Sequence, residues 1–296
     1  MKAWCLIRPQ PCYRREAFAA GLQAAGYGVQ FRQPDRGAPG DVLLLWNRYN
    51  SHHDLATRFE KDGGTVLVAE NGYIGRGGSA PKFDVHPGGP QPHHYYAIGI
   101  GYHNDMLRVP APGAHTEAFC SRWPALEVNL KPLRAAGEHI LICPNRSFGP
   151  PERAMHPDWA ERCAARLRTL TQRPIRIRRH PGNDQPKREL AEDLKGAWAV
   201  AIWSSGAGVH ALVAGIPVLC EAPFWIAKHA ALSKPETVAS LDGDDKDAER
   251  LRRIWHGLRE HAMWRMSWGQ WTCDEIERGE PFRQPPAASR QPPVDS

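Results

Sequence analysis

No apolar run in this chain approaches the ~20 residues that a membrane-spanning helix needs, so a helical integral membrane protein is not expected. The opening "MKAWCLIRPQPCYRRE" has a short apolar patch but no small-residue cleavage site, so no signal peptide is expected. The seven cysteines form no CxxC pair, which argues against a disulfide framework or zinc site and for reduced thiols in a cytoplasm. His52-His53 and His93-His94 also lack the spacing of a zinc set. "DGDD" (Asp242–Asp245) has an Asp-x-Asp spacing, but it follows no apolar strand and leads into a helix, where acids complement the dipole. No metal site and no cofactor are therefore expected. Charge of one sign is only mildly in excess. A net charge of +6 permits a polyanionic partner without requiring one, and oligomeric state leaves no mark.

What is present is enough for two cores. The 296 residues are 42% hydrophobic, and single cores stop growing at roughly 250–300 residues, so two domains are expected. In the first, "KAWCLI", "YGVQFR", "DVLLLW" and "TVLVAE" read as strands, with helices through "YRREAFAAGLQAAG" and near His53–Asp62. Such Val- and Leu-rich runs between helices predict a parallel sheet covered on both faces. Between Gly72 and Gly113 the helical signal vanishes, leaving loops around one strand, "YYAIGI". A second series runs "HILICPN", helix, "IRIRRH", helix, "AVAIW", helix, "PVLCE". This βαβαβαβ order predicts a doubly wound sheet with right-handed crossovers. The predicted fold class is α/β: two Rossmann-like domains facing a cleft, with C-terminal helices. The boundaries are 1–135, 136–245, 246–283 for the helices packing across both domains, and a proline-rich disordered tail at 284–296. In the long helix Leu251, Ile254, Leu258 and Ala262 are expected inside, with arginines opposite. "TCDE" reads as a capping box and Gly279 as a helix stop. Trp255, Trp264, Trp268 and Trp271 recur near helical spacing and read as packing.

Ligands of doubly wound sheets bind at the carboxyl ends of the strands, which sorts the polar residues. Of three His-Pro pairs, His86-Pro87 falls in a loop and His156-Pro157 at a helix start. Only His180-Pro181 ends a predicted inner strand, behind Arg178 and Arg179. Ser204 and Ser205 fall at a strand-to-helix turn, where unpaired N–H groups favour an anion. Gly206 and Gly208 would let a phosphate approach the backbone. The loop "PNRSFGPP" adds Arg146, Ser147 and Gly149, and Glu221 ends the last strand of the series. Three strand ends converging on one anion suggest a nucleotide diphosphate. In the first domain "TVLVAENG" brings a strand to Glu70, a carboxylate placed to act as a general base.

Glu70-Asn71-Gly72, His180-Pro181 and Ser204-Ser205 occur in an order that resembles capsule-polysaccharide transferases and bacterial sialyltransferases of the two-Rossmann (GT-B) type. The stretch from the serines to "GIPV" is also similar to CDP-glycerol glycerophosphotransferases, and the closing "WGQWTCDEIERGEPFR" to phage-encoded relatives. The resemblance implies a metal-independent, inverting glycosyltransferase acting on a nucleotide-sugar donor. It makes Glu70 the base and His180 the phosphate ligand and acid. It makes Ser204 and Ser205 donor contacts, and Arg146, Ser147, Gly149, Arg179, Gly206 and Glu221 are expected to bind the donor beside them. The family carries a second acid where this chain has Asn71. The implied acceptor is a cell-envelope glycan. The positive charge and the arginine-rich helix leave a hydroxymethylated DNA base as another polyanionic acceptor. A non-catalytic nucleotide-binding module and a glycerophosphate-type transferase are the alternatives.

Overall fold

The structure, a computed structural model, describes residues 1–10, 13–74, 95–108, 122–124, 126, 128–134, 136–146, 149–180, 189–240 and 246–283. It is mixed α/β with two separate sheets. The chain divides into two compact units. One holds the described residues within 1–72, 95–108 and 269–283, and the other those at 73–74 and within 122–268.

In the first unit β1 (Lys2–Cys5), β2 (Gly28–Gln30), β3 (Val42–Leu45) and β4 (Thr65–Asn71) run parallel in the order β2-β1-β3-β4. Helices Arg15–Ala24 and Ser51–Lys61 make the crossovers. Alternation along the strands divides their side chains between two cores. Ala3, Cys5, Leu44, Leu67 and Ala69 meet Phe18 and Leu22 of the first helix, whereas Trp4, Leu43, Leu45, Val66 and Val68 meet Leu55 and Phe59 of the second. The all-parallel expectation needs correction. β5 (Tyr95–Ile100) is antiparallel to β4, and β10 (Gln270–Thr272) is antiparallel to β5. Trp271 therefore lies in a strand, not on a helix face. Three residues are too few to show a period, so β10 was hidden in the sequence. Thr272 does open the expected capping box, accepting from Glu275 N at 3.2 Å while Glu275 accepts from Thr272 N at 2.8 Å.

In the second unit β6 (His139–Cys143), β7 (Ile175–Ile177), β8 (Ala197–Ile202) and β9 (Val218–Cys220) are all parallel, in the order β7-β6-β8-β9. β6 and β8 are buried throughout, while β7 is a short edge strand with two of its three residues exposed. "IRIRRH" was expected to be an inner strand. Its alternation of isoleucine and arginine is what an edge carries, because a charged edge resists pairing with another chain.

The long helix Lys246–Gly269 buries Ala262 as expected, but not Ile254 and Leu258. Trp255, Arg259, Ala262, Met263 and Met266 are inside, whereas Ile254 is 52% and Leu258 39% exposed. Arg259 can sit inside because its Nη2 donates to the Lys131 carbonyl at 2.8 Å and its guanidinium lies 5.4 Å from the centre of the Trp255 ring. Among the described cysteines, burial pushes Cys5 up to about 11 and Cys143, Cys163 and Cys220 to about 12, so these thiols are packing groups rather than nucleophiles. The tail at 284–296, "DGDD" and His86, His93 and His94 lie outside the described residues.

Candidate functional site

The strand order of the second sheet reverses between β6 and β8: β6 leads outward to β7 on one side, β8 to β9 on the other. The carboxyl ends at such a reversal are where doubly wound sheets take ligands. Here the two strand ends are tied together by side chains. Asn145 Nδ2 donates to Ser204 Oγ at 3.1 Å, and Ser204 N donates back to Asn145 Oδ1 at 3.1 Å. Ser205 Oγ accepts from Ala207 N at 3.2 Å, ordering the turn into helix Ala207–Val213. Arg146 is exposed beside this pair, Gly149 has φ +133°, and Ser147 lies outside the described residues.

The two glycines of the turn have different roles. A Cβ on Gly206 would meet nothing within 4 Å, leaving its backbone open to a ligand. A Cβ on Gly208 would sit 2.5 Å from Ile202 Cδ1 and 2.6 Å from Trp225 Cζ2. Gly208 is therefore small for packing. Gly208→Ala is expected to destabilise by about 1–3 kcal/mol through overpacking. Gly206→Ala should leave the melting temperature unchanged. Equal melting temperatures for the two variants would remove this distinction.

Glu221 follows β9, and its Oε2 accepts from the buried Trp159 indole N–H at 2.8 Å. His180 stands in a different setting from the one expected. β7 ends at Ile177, and His180 is exposed beyond an edge strand, one strand out from the reversal. Arg178 is taken by Asp193 at 2.7 Å in a largely buried ion pair, and Arg179 by Glu161 at 2.6 Å on the surface. Both carry carboxylate partners of their own.

Two features escaped the sequence reading. Asn145 is one, since nothing in "PNRS" marks its partner 59 residues away. The other is a cluster beside it. The Trp203 ring lies 6.2 Å from Trp159 and 6.4 Å from Phe224, over which the Arg153 guanidinium stands at 4.6 Å.

The parallel part of the first sheet reverses between β1 and β3. Glu70 is the second-last residue of β4, which pairs with β3 on one side, and lies opposite Ala97 of β5 on the other. It is half-buried, on the Val66–Val68 side by alternation, and its Oε1 accepts from Asn71 N at 3.1 Å. Arg14 and Asn50, each with φ 50°, are the two positive-φ non-glycine residues among those described. They precede the helices that follow β1 and β3, the two strands at the reversal. The Tyr13 ring packs 4.7 Å from Trp46, which follows β3. Buried Arg48 clamps Glu60 at 2.9 and 2.7 Å and the Gly101 carbonyl at 3.0 Å, bracing the loop after β3.

A cavity of about 610 Å³ lies elsewhere, lined by Glu138, Gln172, Arg173 and neighbours at the amino ends of β6 and β7. Chemistry at the reversal outweighs volume, so the carboxyl edge is the candidate site. Among the described residues no three His, Cys, Asp or Glu side chains form a group that could hold a metal ion, and no helix is long and apolar enough to cross a membrane.

No protein-family model matches the chain, and no curated protein matches it either. Among solved structures it is similar to the beta Kdo 2,4 transferase of Thermosulfurimonas dismutans KpsC, at 15% identity and a TM-score of 0.47, covering 74% of this chain and 79% of that one. It is also similar to the beta Kdo 2,7 transferase of the same KpsC, at 14% identity and a TM-score of 0.49, covering 88% and 100%. Likeness at this level assigns no reaction to the chain.

Proposed function

We propose that this chain is a glycosyltransferase that moves a sugar from a nucleotide-sugar donor to an acceptor hydroxyl. The observation that carries the reading is the reciprocal Asn145–Ser204 pair at the reversal of the second sheet. It presents the turn at Ser204, Ser205 and open-faced Gly206, with Arg146 alongside, where a donor phosphate would bind. His180 and Arg179 approach that phosphate from the next strand, and Glu221, at the end of the strand on the other side, accepts from a hydroxyl of the donor rather than touching the phosphate. Glu70, in the first unit, takes the proton as the acceptor oxygen attacks the anomeric carbon. The bond from that carbon to the donor phosphate oxygen breaks, and its electron pair leaves with the nucleotide, held by backbone N–H groups and arginine. A single displacement inverts the sugar, and no step needs a metal. The acceptor we favour is a cell-envelope glycan.

The test is mass spectrometry of the full chain incubated with a panel of nucleotide sugars and with glycan and hydroxymethylated-DNA acceptors, in the presence and absence of excess chelator. One donor–acceptor pair should gain the mass of one sugar, equally with chelator. Transfer only to DNA would relocate the acceptor. Donor binding without transfer to any acceptor would favour a nucleotide-binding module, and a glycerophosphate increment the related transferase. Loss of transfer in chelator, restored by magnesium, would overturn metal independence.

A further inference from the structure

Exposed aliphatic side chains are ordinary one at a time; their setting decides whether they mean anything. The helix Lys246–Gly269 turns Trp255, Ala262, Met263 and Met266 inward and leaves Ile254 and Leu258 exposed. These two stand one turn apart, with Arg250 one turn before them and Arg265 two turns after. The four positions follow a single stripe along the helix, about 22 Å from end to end. Its middle is apolar and both its ends are cationic. Between Arg250 and Arg265 the stripe holds no acid. Glu260 falls on another face, as does Glu249, which pairs with Arg253 at 3.1 Å. Over the whole helix six Lys and Arg stand against three Asp and Glu.

We propose that the stripe Arg250, Ile254, Leu258 and Arg265 docks the protein on an anionic lipid bilayer, with the helix lying flat on the surface. A helix at a membrane interface sinks its aliphatic side chains below the headgroups, while flanking arginines reach back to the lipid phosphates. An apolar centre between cationic ends has that order. Other occupants fit less well. A stable contact with a second copy buries roughly 800 Å² on each partner, more than two side chains one turn apart supply. Nucleic acid would engage the arginines through its phosphates but would leave Ile254 and Leu258 against a polar backbone. The helix itself is not apolar enough to cross a membrane, so it binds on the surface, and so few groups give reversible rather than permanent attachment. The surface uses none of the residues assigned to sugar transfer and stands whether or not the chain transfers sugar.

The test is flotation of the full chain with vesicles of phosphatidylcholine, alone or mixed with phosphatidylglycerol. The protein should float with the mixed vesicles, stay behind with phosphatidylcholine alone, and leave the mixed vesicles at high salt. Ile254→Gln combined with Leu258→Gln should weaken binding about tenfold or more, because it removes the inserted groups and keeps every charge. Both positions are exposed and glutamine is a good helix former, so circular dichroism should show the fold unchanged. Arg250→Gln should weaken binding about fivefold, the share of one cation near an anionic surface. No flotation with the mixed vesicles, or flotation indifferent to the glutamine pair, would overturn the proposal. So would a dimer in analytical ultracentrifugation that the glutamine pair dissolves, which would make a second copy the occupant. Binding to duplex DNA that Arg250→Gln weakens, with no flotation, would make the occupant a nucleic acid.

Discussion

Glu70→Gln is expected to lower turnover about 100-fold or more while donor binding stays in place. Glutamine keeps the shape of the side chain, and its carbonyl oxygen can still accept from Asn71 N, as Glu70 Oε1 does at 3.1 Å. What it loses is the ability to take a proton. Glu70 sits near the carboxyl end of β4, where backbone pairing to Ala97 on β5 fixes its position, so the variant should fold. The proposed donor turn at Ser204 lies in the other unit, so the loss should fall on turnover rather than on donor affinity. Steady-state transfer alongside a donor titration separates the two. Normal turnover would leave the proposed reaction without its base. Asp62 would be a poor replacement, because it follows helix Ser51–Lys61 and its Oδ2 accepts from Gly37 N at 3.2 Å, near the amino ends of the strands. Asp84 lies outside the described residues.

The sequence showed most where burial is complete on both faces. "VLLL", "HILIC" and "AWAVAI" are continuous apolar runs, and each is an inner strand of a parallel sheet. The same rule, applied in reverse, explains the misplaced strand. "IRIRRH" alternates because it is an edge, and its arginines pair with Asp193 and Glu161, acids that only the folded chain brings near. The long helix misled for a related reason. Counting apolar residues puts Ile254 and Leu258 inside, but Arg259 is buried through its bond to Lys131, a partner 128 residues away. The positions of the serine turn after β8 and of Glu70 near the end of β4 were legible as strand ends followed by turn residues. Asn145 and the Trp203–Phe224–Arg153 cluster were not, since each is defined by a neighbour in space rather than in sequence.

Asn145→Asp is expected to weaken donor binding by about a thousandfold while the fold is kept. The new carboxylate can still accept from Ser204 N, as Asn145 Oδ1 does at 3.1 Å, and from the Ser204 hydroxyl in place of the present Nδ2 bond. The loops after β6 and β8 therefore stay tied. What changes is the charge facing the turn where the donor phosphate is proposed to lie. Two unit charges ~4 Å apart in a partly buried setting interact by roughly 4 kcal/mol, which is about three orders of magnitude in affinity. Asn145→Ala separates charge from geometry. It removes both bonds without adding repulsion, so its loss should be nearer 1–3 kcal/mol, roughly the cost of leaving buried polar groups unsatisfied. Because Asn145 and Ser204 act through one reciprocal pair, Asn145→Ala combined with Ser204→Ala should cost less than the sum of the single losses. Donor affinity by calorimetry and melting temperature by circular dichroism read the two effects apart. If Asn145→Asp binds the donor as tightly as the unmodified chain, no phosphate sits at the reversal between β6 and β8, and the donor site must be sought elsewhere.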